Sequence, residues 1–195
     1  MGIGLDATEF GQTPMDPDQL TGLKMSMLHT QGQINAAEQA NINEALRWLM
    51  GKRTIPSLLT EKFICHLHQR MFGHVWKWAG KFRKTETNLG VAWYTIPTEL
   101  NVLLADIHYW IQYQTYAPVE IAIRFKFRLV AIHCFPNGNG RHARLMADLL
   151  MQYRFGLPRF SWGAQTEGDV RKIYLQAILK AADGDFMPLI HFAQH

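Results

Sequence analysis

Cysteine is scarce. The 195-residue chain has only Cys65 and Cys134, too few for the disulfide scaffold of a small secreted domain, and no charged-then-apolar leader opens it. Both absences predict a reducing, cytoplasmic setting. Long apolar runs are missing too: Val102-Leu103-Leu104-Ala105 is broken by polar residues within a few positions, far short of the ~18 consecutive apolar residues of a spanning helix, so no membrane span is expected. Charge of one sign is not concentrated. Twenty Lys and Arg face 16 Asp and Glu, for a net charge of +4, and the basic residues are scattered rather than clustered, which disfavours nucleic acid as a partner. Internal repeats and low-complexity tracts are absent. What remains, 48% hydrophobic and 18% charged, excludes disorder, collagen and coiled coil and fits one globular domain.

Residues 1–30 carry Gly2, Gly4, Gly11, Pro14 and Pro17 without a sustained period, which predicts an irregular N-terminal arm ahead of a domain spanning 31–195. Helical spacing then recurs. Ile42, Ala45, Leu46 and Leu49 predict a helix over 35–50, stopped by Gly51, and Leu59, Phe63, Leu67 and Met71 predict a second one, capped by Ser57 or Thr60 and ended by Gly73. Residues 82–87 and 91–96, joined through Asn88-Leu89-Gly90, read as a β-hairpin. Thr98 is placed to cap a helix whose apolar face is Leu100, Leu103, Leu104, Ile107, Trp110 and Ile111. Thr166 and Asp169 precede another stripe, Val170, Ile173, Tyr174, Ala177, Ile178 and Ala181, and a short closing segment covers 187–193. Residues 119–129 alternate apolar and polar in period two, as a strand does, yet Pro118 suits a first helical turn and Glu120 and Arg124 suit an i, i+4 pair. Pattern leaves both readings open.

The chemistry concentrates in His133-Cys134-Phe135-Pro136-Asn137-Gly138-Asn139-Gly140-Arg141-His142-Ala143-Arg144, followed by a helical run of Leu145, Met146, Leu149, Leu150 and Tyr153. This is a loop entering a helix. Its glycines allow close backbone approach, and the N–H groups of a helix start point outward with partial positive charge, which makes an anion site suited to phosphate. Arg141 and Arg144, in the first turns, oppose the helix dipole unless an anion is there for them to clamp. His133 can accept a proton from a hydroxyl attacking phosphorus held in the loop, and Asn137 offers an amide oxygen to Mg²⁺. The bland alternatives are a plain helix-entry turn at Gly138 and Gly140 and a packed histidine at 133. Gly138-x-Gly140-x-x-Ala143 also matches the dinucleotide fingerprint, without the acidic residue expected ~20 positions later. Arg144 and Asp148 could be a surface pair, and His142 reads as a surface residue. His66, His68, His74 and His108 show no metal-ligand spacing.

The segment His133-x-Phe135-x-x-Gly138-Asn139-Gly140-Arg141-x-x-Arg144 resembles the signature of Fic-domain proteins. Trp78-Ala79-Gly80-Lys81-Phe82-Arg83 with the following hairpin resembles the Fic flap, and the likeness covers about the last four-fifths of the chain. More narrowly, Thr13-Pro14-Met15-Asp16 and Glu38-Gln39-Ala40-Asn41-Ile42 resemble the subgroup called mobile mystery protein B. The resemblance implies a mostly α fold, a Fic-like helical bundle with a small β-hairpin flap, and therefore a helix over 119–129. It implies transfer of AMP from ATP to a Ser, Thr or Tyr hydroxyl of a target protein, with release of pyrophosphate and with Mg²⁺ as cofactor.

By position, His133 resembles the general base, Phe135 a core anchor, Gly138, Asn139 and Gly140 the anion hole, and Arg141 and Arg144 the ligands of the outer phosphates. Lys84, Thr85, Glu86, Thr87, Val91 and Trp93 fall in the flap that would dock the target's main chain. Two departures stand out: Cys134 replaces the usual Pro, and Asn137 the usual acidic metal ligand. The alternatives are a Fic-fold transferase of another phosphate-containing group and a non-catalytic nucleotide-binding module. Many Fic proteins carry an inhibitory Ser or Thr, three residues, then Glu-Gly or Glu-Asn. Here Ile34 stands four before Glu38, Gln39 follows it, and Gly163 stands four before Glu167. The expectation is a separate antitoxin chain in a toxin-antitoxin pair.

Overall fold

Seven α-helices form among the residues described by the computed structural model, 22–166 and 168–195. Most of the expected N-terminal arm, including 13–16, lies outside those residues. Helix α1, Gln31–Met50, opens on a reciprocal cap: Thr30 accepts from the Gln33 backbone N–H, and the Gln33 side chain accepts from the Thr30 N–H. Thr60, rather than Ser57, caps α2, Glu61–Phe72. Helix α3, Ile96–Tyr113, begins two residues ahead of Thr98, because a 3-10 turn at Trp93–Thr95 and Pro97 in the first turn set it going. Next come α4, Pro118–Ile132, and α5, Asn139–Leu149, which runs into a π-helical turn at Leu150–Phe155. Asp169 caps α6, Val170–Ala182, by accepting from the Lys172 N–H, and α7 is Met187–Gln194.

Helix α4 is central, packing on α3, α5 and α7, while α1 packs on α2 and α2 on α5. That position explains the period-two pattern of 119–129. Ile121, Ala122, Ile123, Phe125, Lys126, Leu129 and Ile132 are all buried, so apolar residues are wanted around most of the circumference and the usual one-sided stripe disappears. Glu120 and Arg124 form the i, i+4 pair, at 2.8 Å.

The expected hairpin is absent: among the described residues there is no strand, only an isolated bridge between Leu23 and Trp76. Residues 82–92 are instead an irregular loop whose main chain bonds elsewhere. The Arg83 N–H donates to Cys134 O at 3.0 Å and the Val91 N–H to Ile132 O at 3.4 Å. The Arg83 side chain takes the carbonyls of Thr85 and Val91. With those groups engaged, the two limbs cannot form a ladder with each other. Among the described residues no helix is long and apolar enough to cross a membrane.

Candidate active site at the junction of two helices

His133 terminates α4 in the left-handed region, φ 56°, and turns the chain into the loop that opens α5. Gly138 stands at the N-cap of α5 with φ 77°, and an added Cβ would lie 2.6 Å from the Phe72 ring; both constraints require glycine. Gly140 has open space around it. The Asn139 side chain bridges the loop, its amide oxygen accepting from the Phe135 N–H at 3.0 Å and its amide nitrogen donating to Phe135 O at 2.7 Å. These two bonds close the loop on itself ahead of α5. Phe135 is completely buried and stacks on His68 with ring centroids 3.7 Å apart.

Two histidines frame this loop. His68, fully buried, accepts from the Gly80 N–H at its Nδ1, so Nε2 carries the proton and donates to Asn137 O at 3.0 Å. Burial, helped by His142, holds its pKa well below the usual value. His142 is not a surface residue: it is 1% exposed, faces Ile64 O at 3.0 Å, and burial lowers its pKa to about 4. Helix α5 is enclosed on nearly every side, which the local pattern did not reveal. The Cys134 thiol, pushed up to about 12 by burial, is an inert filler in place of a nucleophile.

Arg83 ties the flap loop to His133. Only 3% exposed, its guanidinium donates to His133 O through Nε at 2.7 Å, to Thr85 O at 2.9 Å and to Val91 O. Gly90 passes so close that an added Cβ would lie 2.5 Å from His133 Cβ. Of the expected flap residues, Thr85 and Val91 are thus joined to the motif. Lys84, Glu86 and Trp93 are exposed, and Thr87 is half-buried. Burial first, then the Arg83 charge, lowers the pKa of His133, with the Val130 carbonyl opposing. Following the His133 ring proton by NMR through a pH titration is expected to give a midpoint below the ordinary 6.5. Arg83→Met is expected to raise it; an unmoved midpoint would mean that Arg83 acts on His133 only mechanically.

Arg141 is already occupied. Its Nη1 lies 2.6 Å from the Glu38 carboxylate, which is 2% exposed and also accepts from Trp76 Nε1 at 2.6 Å. A glutamate of this chain therefore reaches a motif arginine, although the Ser or Thr of the inhibitory pattern is missing. Arg144 lies against Trp162 and Tyr174, its guanidinium carbon 5.9 and 5.1 Å from their ring centroids. Asp148, one turn on, is buried and accepts from Trp162 Nε1 and the Phe160 N–H, both at 3.1 Å, so Arg144 and Asp148 are no solvated surface pair. Burial raises the Asp148 pKa to about 7.

The residues present do not fit a dedicated Mg²⁺ site. The Asn137 amide oxygen accepts from the Gly138 N–H at 2.6 Å, and among the described residues no group of three His, Cys, Asp or Glu could hold a metal ion. Mg²⁺ prefers carboxylate oxygens. Glu38, Arg83 and His68 are the residues sequence reasoning assigned no role in the site. Glu38 and Arg83 sat inside recognisable blocks, but their partners are far away in the chain.

Residues 58–151 match the family model described as Fic/DOC family. A protein named Protein adenylyltransferase Fic from Drosophila grimshawi is 29% identical over 177 residues, covering 86% of this chain and 36% of that protein. The chain thus spans about a third of the length of that curated relative. Among solved structures, a Fic-1 fragment from C. elegans superposes with TM-score 0.64 at 21% identity, covering 93% of this chain and 63% of that one. The N-terminal FIC domain of the Bep8 protein from Bartonella sp. 1-1C gives TM-score 0.67 at 14% identity, covering 87% and 88%.

Proposed function

We propose that the chain, whose residues 58–151 match the Fic/DOC family model, is a protein adenylyltransferase, with 31–195 as its catalytic unit. It would move AMP from ATP to a hydroxyl side chain of a target protein. The observation that carries this reading is the loop of α5 with its glycine-shaped entry, preceded directly by a half-buried histidine beneath the flap. Neutral His133 takes the proton of the target hydroxyl as its oxygen attacks the α-phosphorus in line. The new O–P bond forms as the bond to the β-phosphate oxygen breaks, and pyrophosphate leaves. The main-chain N–H groups at the start of α5 face the charge that develops, and Arg141 and Arg144 hold the outer phosphates. The exposed flap around Lys84, Glu86 and Trp93 offers main chain and side chains to the target.

Asn137 is assigned no step through Mg²⁺, since its oxygen accepts from the Gly138 N–H and among the described residues no group of three His, Cys, Asp or Glu could hold a metal ion. A separate antitoxin chain is part of the proposal as a partner, tested by whether co-expression relieves toxicity. The direct test is to incubate the purified chain and a cell lysate with ATP labelled at either the α- or the γ-phosphorus. Label from the α position alone on protein is the expected result. Label from γ would favour transfer of another phosphate group, and ATP binding without labelled protein would favour a non-catalytic module.

A further inference from the structure

The least expected charge in the fold is Lys126. It lies midway along α4 at 0% exposure, where an apolar side chain of similar volume would ordinarily be at least as stable. Its Nζ donates to the Tyr174 hydroxyl at 2.6 Å and sits 4.7 Å from that ring's centroid. Tyr174, from α6, is half-buried, and its hydroxyl is also hydrogen-bonded to the Arg144 side chain. Two cations from two helices therefore converge on one phenol oxygen, which has two lone pairs to accept them.

Burial lowers the Lys126 pKa, opposed by the Tyr174 hydroxyl, and the neighbouring acid, Asp148, accepts from Trp162 and Phe160 and also feels the Arg144 charge, while burial raises its pKa. Lys126 and Arg144 draw the Tyr174 pKa down against the effect of burial, as expected of two cations held against one phenol. Arg144 is the member of the cluster that belongs to the motif itself, and a guanidinium clamps a phosphate only when its planar fork is held in register.

We propose that Lys126 and Tyr174 are positioning residues for nucleotide binding: the Lys126 ammonium fixes the Tyr174 hydroxyl, and that hydroxyl fixes the Arg144 guanidinium toward the outer phosphates of ATP. This rests on the reading of Arg144 as an outer-phosphate ligand. AMP, which lacks those phosphates, is the internal control.

Calorimetric binding of ATP and of AMP is measured for the wild-type chain, Arg144→Ala, Tyr174→Phe, Lys126→Met and the double variant Lys126→Met with Tyr174→Phe, with thermal midpoints alongside. Tyr174→Phe and Lys126→Met are each expected to weaken ATP about tenfold, the scale of a lost hydrogen bond to a charged group, while AMP affinity stays within about twofold. The double variant removes both buried partners together. It is expected to recover thermal stability lost by Lys126→Met or Tyr174→Phe, but not ATP affinity. A double variant that binds ATP like the wild type overturns the proposal, as do single variants that weaken ATP and AMP alike. If Arg144→Ala itself leaves ATP affinity unchanged, the phosphate reading of Arg144 fails and the proposal with it. If Arg144→Ala weakens ATP and the other variants do not, the proposal alone fails.

Discussion

Replacing Glu38 by alanine is expected to raise the initial rate of nucleotidyl transfer at limiting ATP by about ten- to a hundredfold. The Glu38 carboxylate lies where an anionic ligand of Arg141 must go, 2.6 Å from its guanidinium and steadied by Trp76. A phosphate has to displace it. The apparent affinity is then the intrinsic one multiplied by the fraction of molecules in which the fork is open, and a charge-assisted bond of about 1.5–3 kcal/mol makes that fraction small. Alanine also leaves Trp76 Nε1 without its acceptor, so the thermal midpoint is expected to fall by several degrees, for ~1–3 kcal/mol lost. Glu38→Gln keeps an acceptor for Trp76 while removing the charge, and should raise the rate with a smaller loss of stability. If both variants slow transfer instead, Glu38 orients Arg141 for the phosphate rather than withholding it. Initial rates across an ATP series decide between the two.

His133→Ala is expected to lower the transfer rate by ~10²- to 10⁴-fold, the usual worth of a general base, with little change in ATP affinity, since no phosphate contact is assigned to the imidazole. The pH dependence has a definite sign. Only the neutral ring accepts a proton, and the His133 pKa lies below its ordinary 6.5, so the wild-type rate should hold level from pH 8 to below 6.5 and fall only under the lowered pKa. Arg83→Met, which removes one of the causes of that lowering, should move the acid limb to higher pH.

Stability shifts on the same side. A histidine whose folded pKa is depressed contributes stability above the unfolded pKa and loses it as pH falls toward the folded one. His142 does this between 6.5 and about 4, and His68 acts in the same direction. Circular dichroism at each pH separates unfolding from loss of the base.

Much of the bundle was legible because its helices carry local marks. Thr60, Asp169 and the stripe of α3 are short-range signals, and short-range hydrogen bonds and spacing answer to them. The motif was legible for a related reason: a loop, two glycines and a helix start are contiguous in the chain. Residues 119–129 resisted pattern because burial of α4 on most sides removes the contrast that periodicity needs. The hairpin expectation failed on Arg83, whose side chain takes up carbonyls of both limbs and of His133, a choice made by tertiary packing. Glu38 was set aside for lack of a Ser or Thr four positions before it, yet it acts through Trp76 and Arg141, 38 and 103 residues further along. Tyr174 looked like one more member of an apolar stripe. Its role depends on a buried lysine 48 residues earlier, for which no local spacing gives a sign.

The central claim, AMP transfer through His133, is tested most directly by adding ATP labelled at the α-phosphorus to the Glu38→Ala chain with and without His133→Ala, in the presence of cell lysate. The expected result is labelled protein with Glu38→Ala, stronger than with the wild-type chain, and none above background once His133 is also replaced. Equal labelling with and without His133, or label that comes only from the γ-phosphorus, would contradict it.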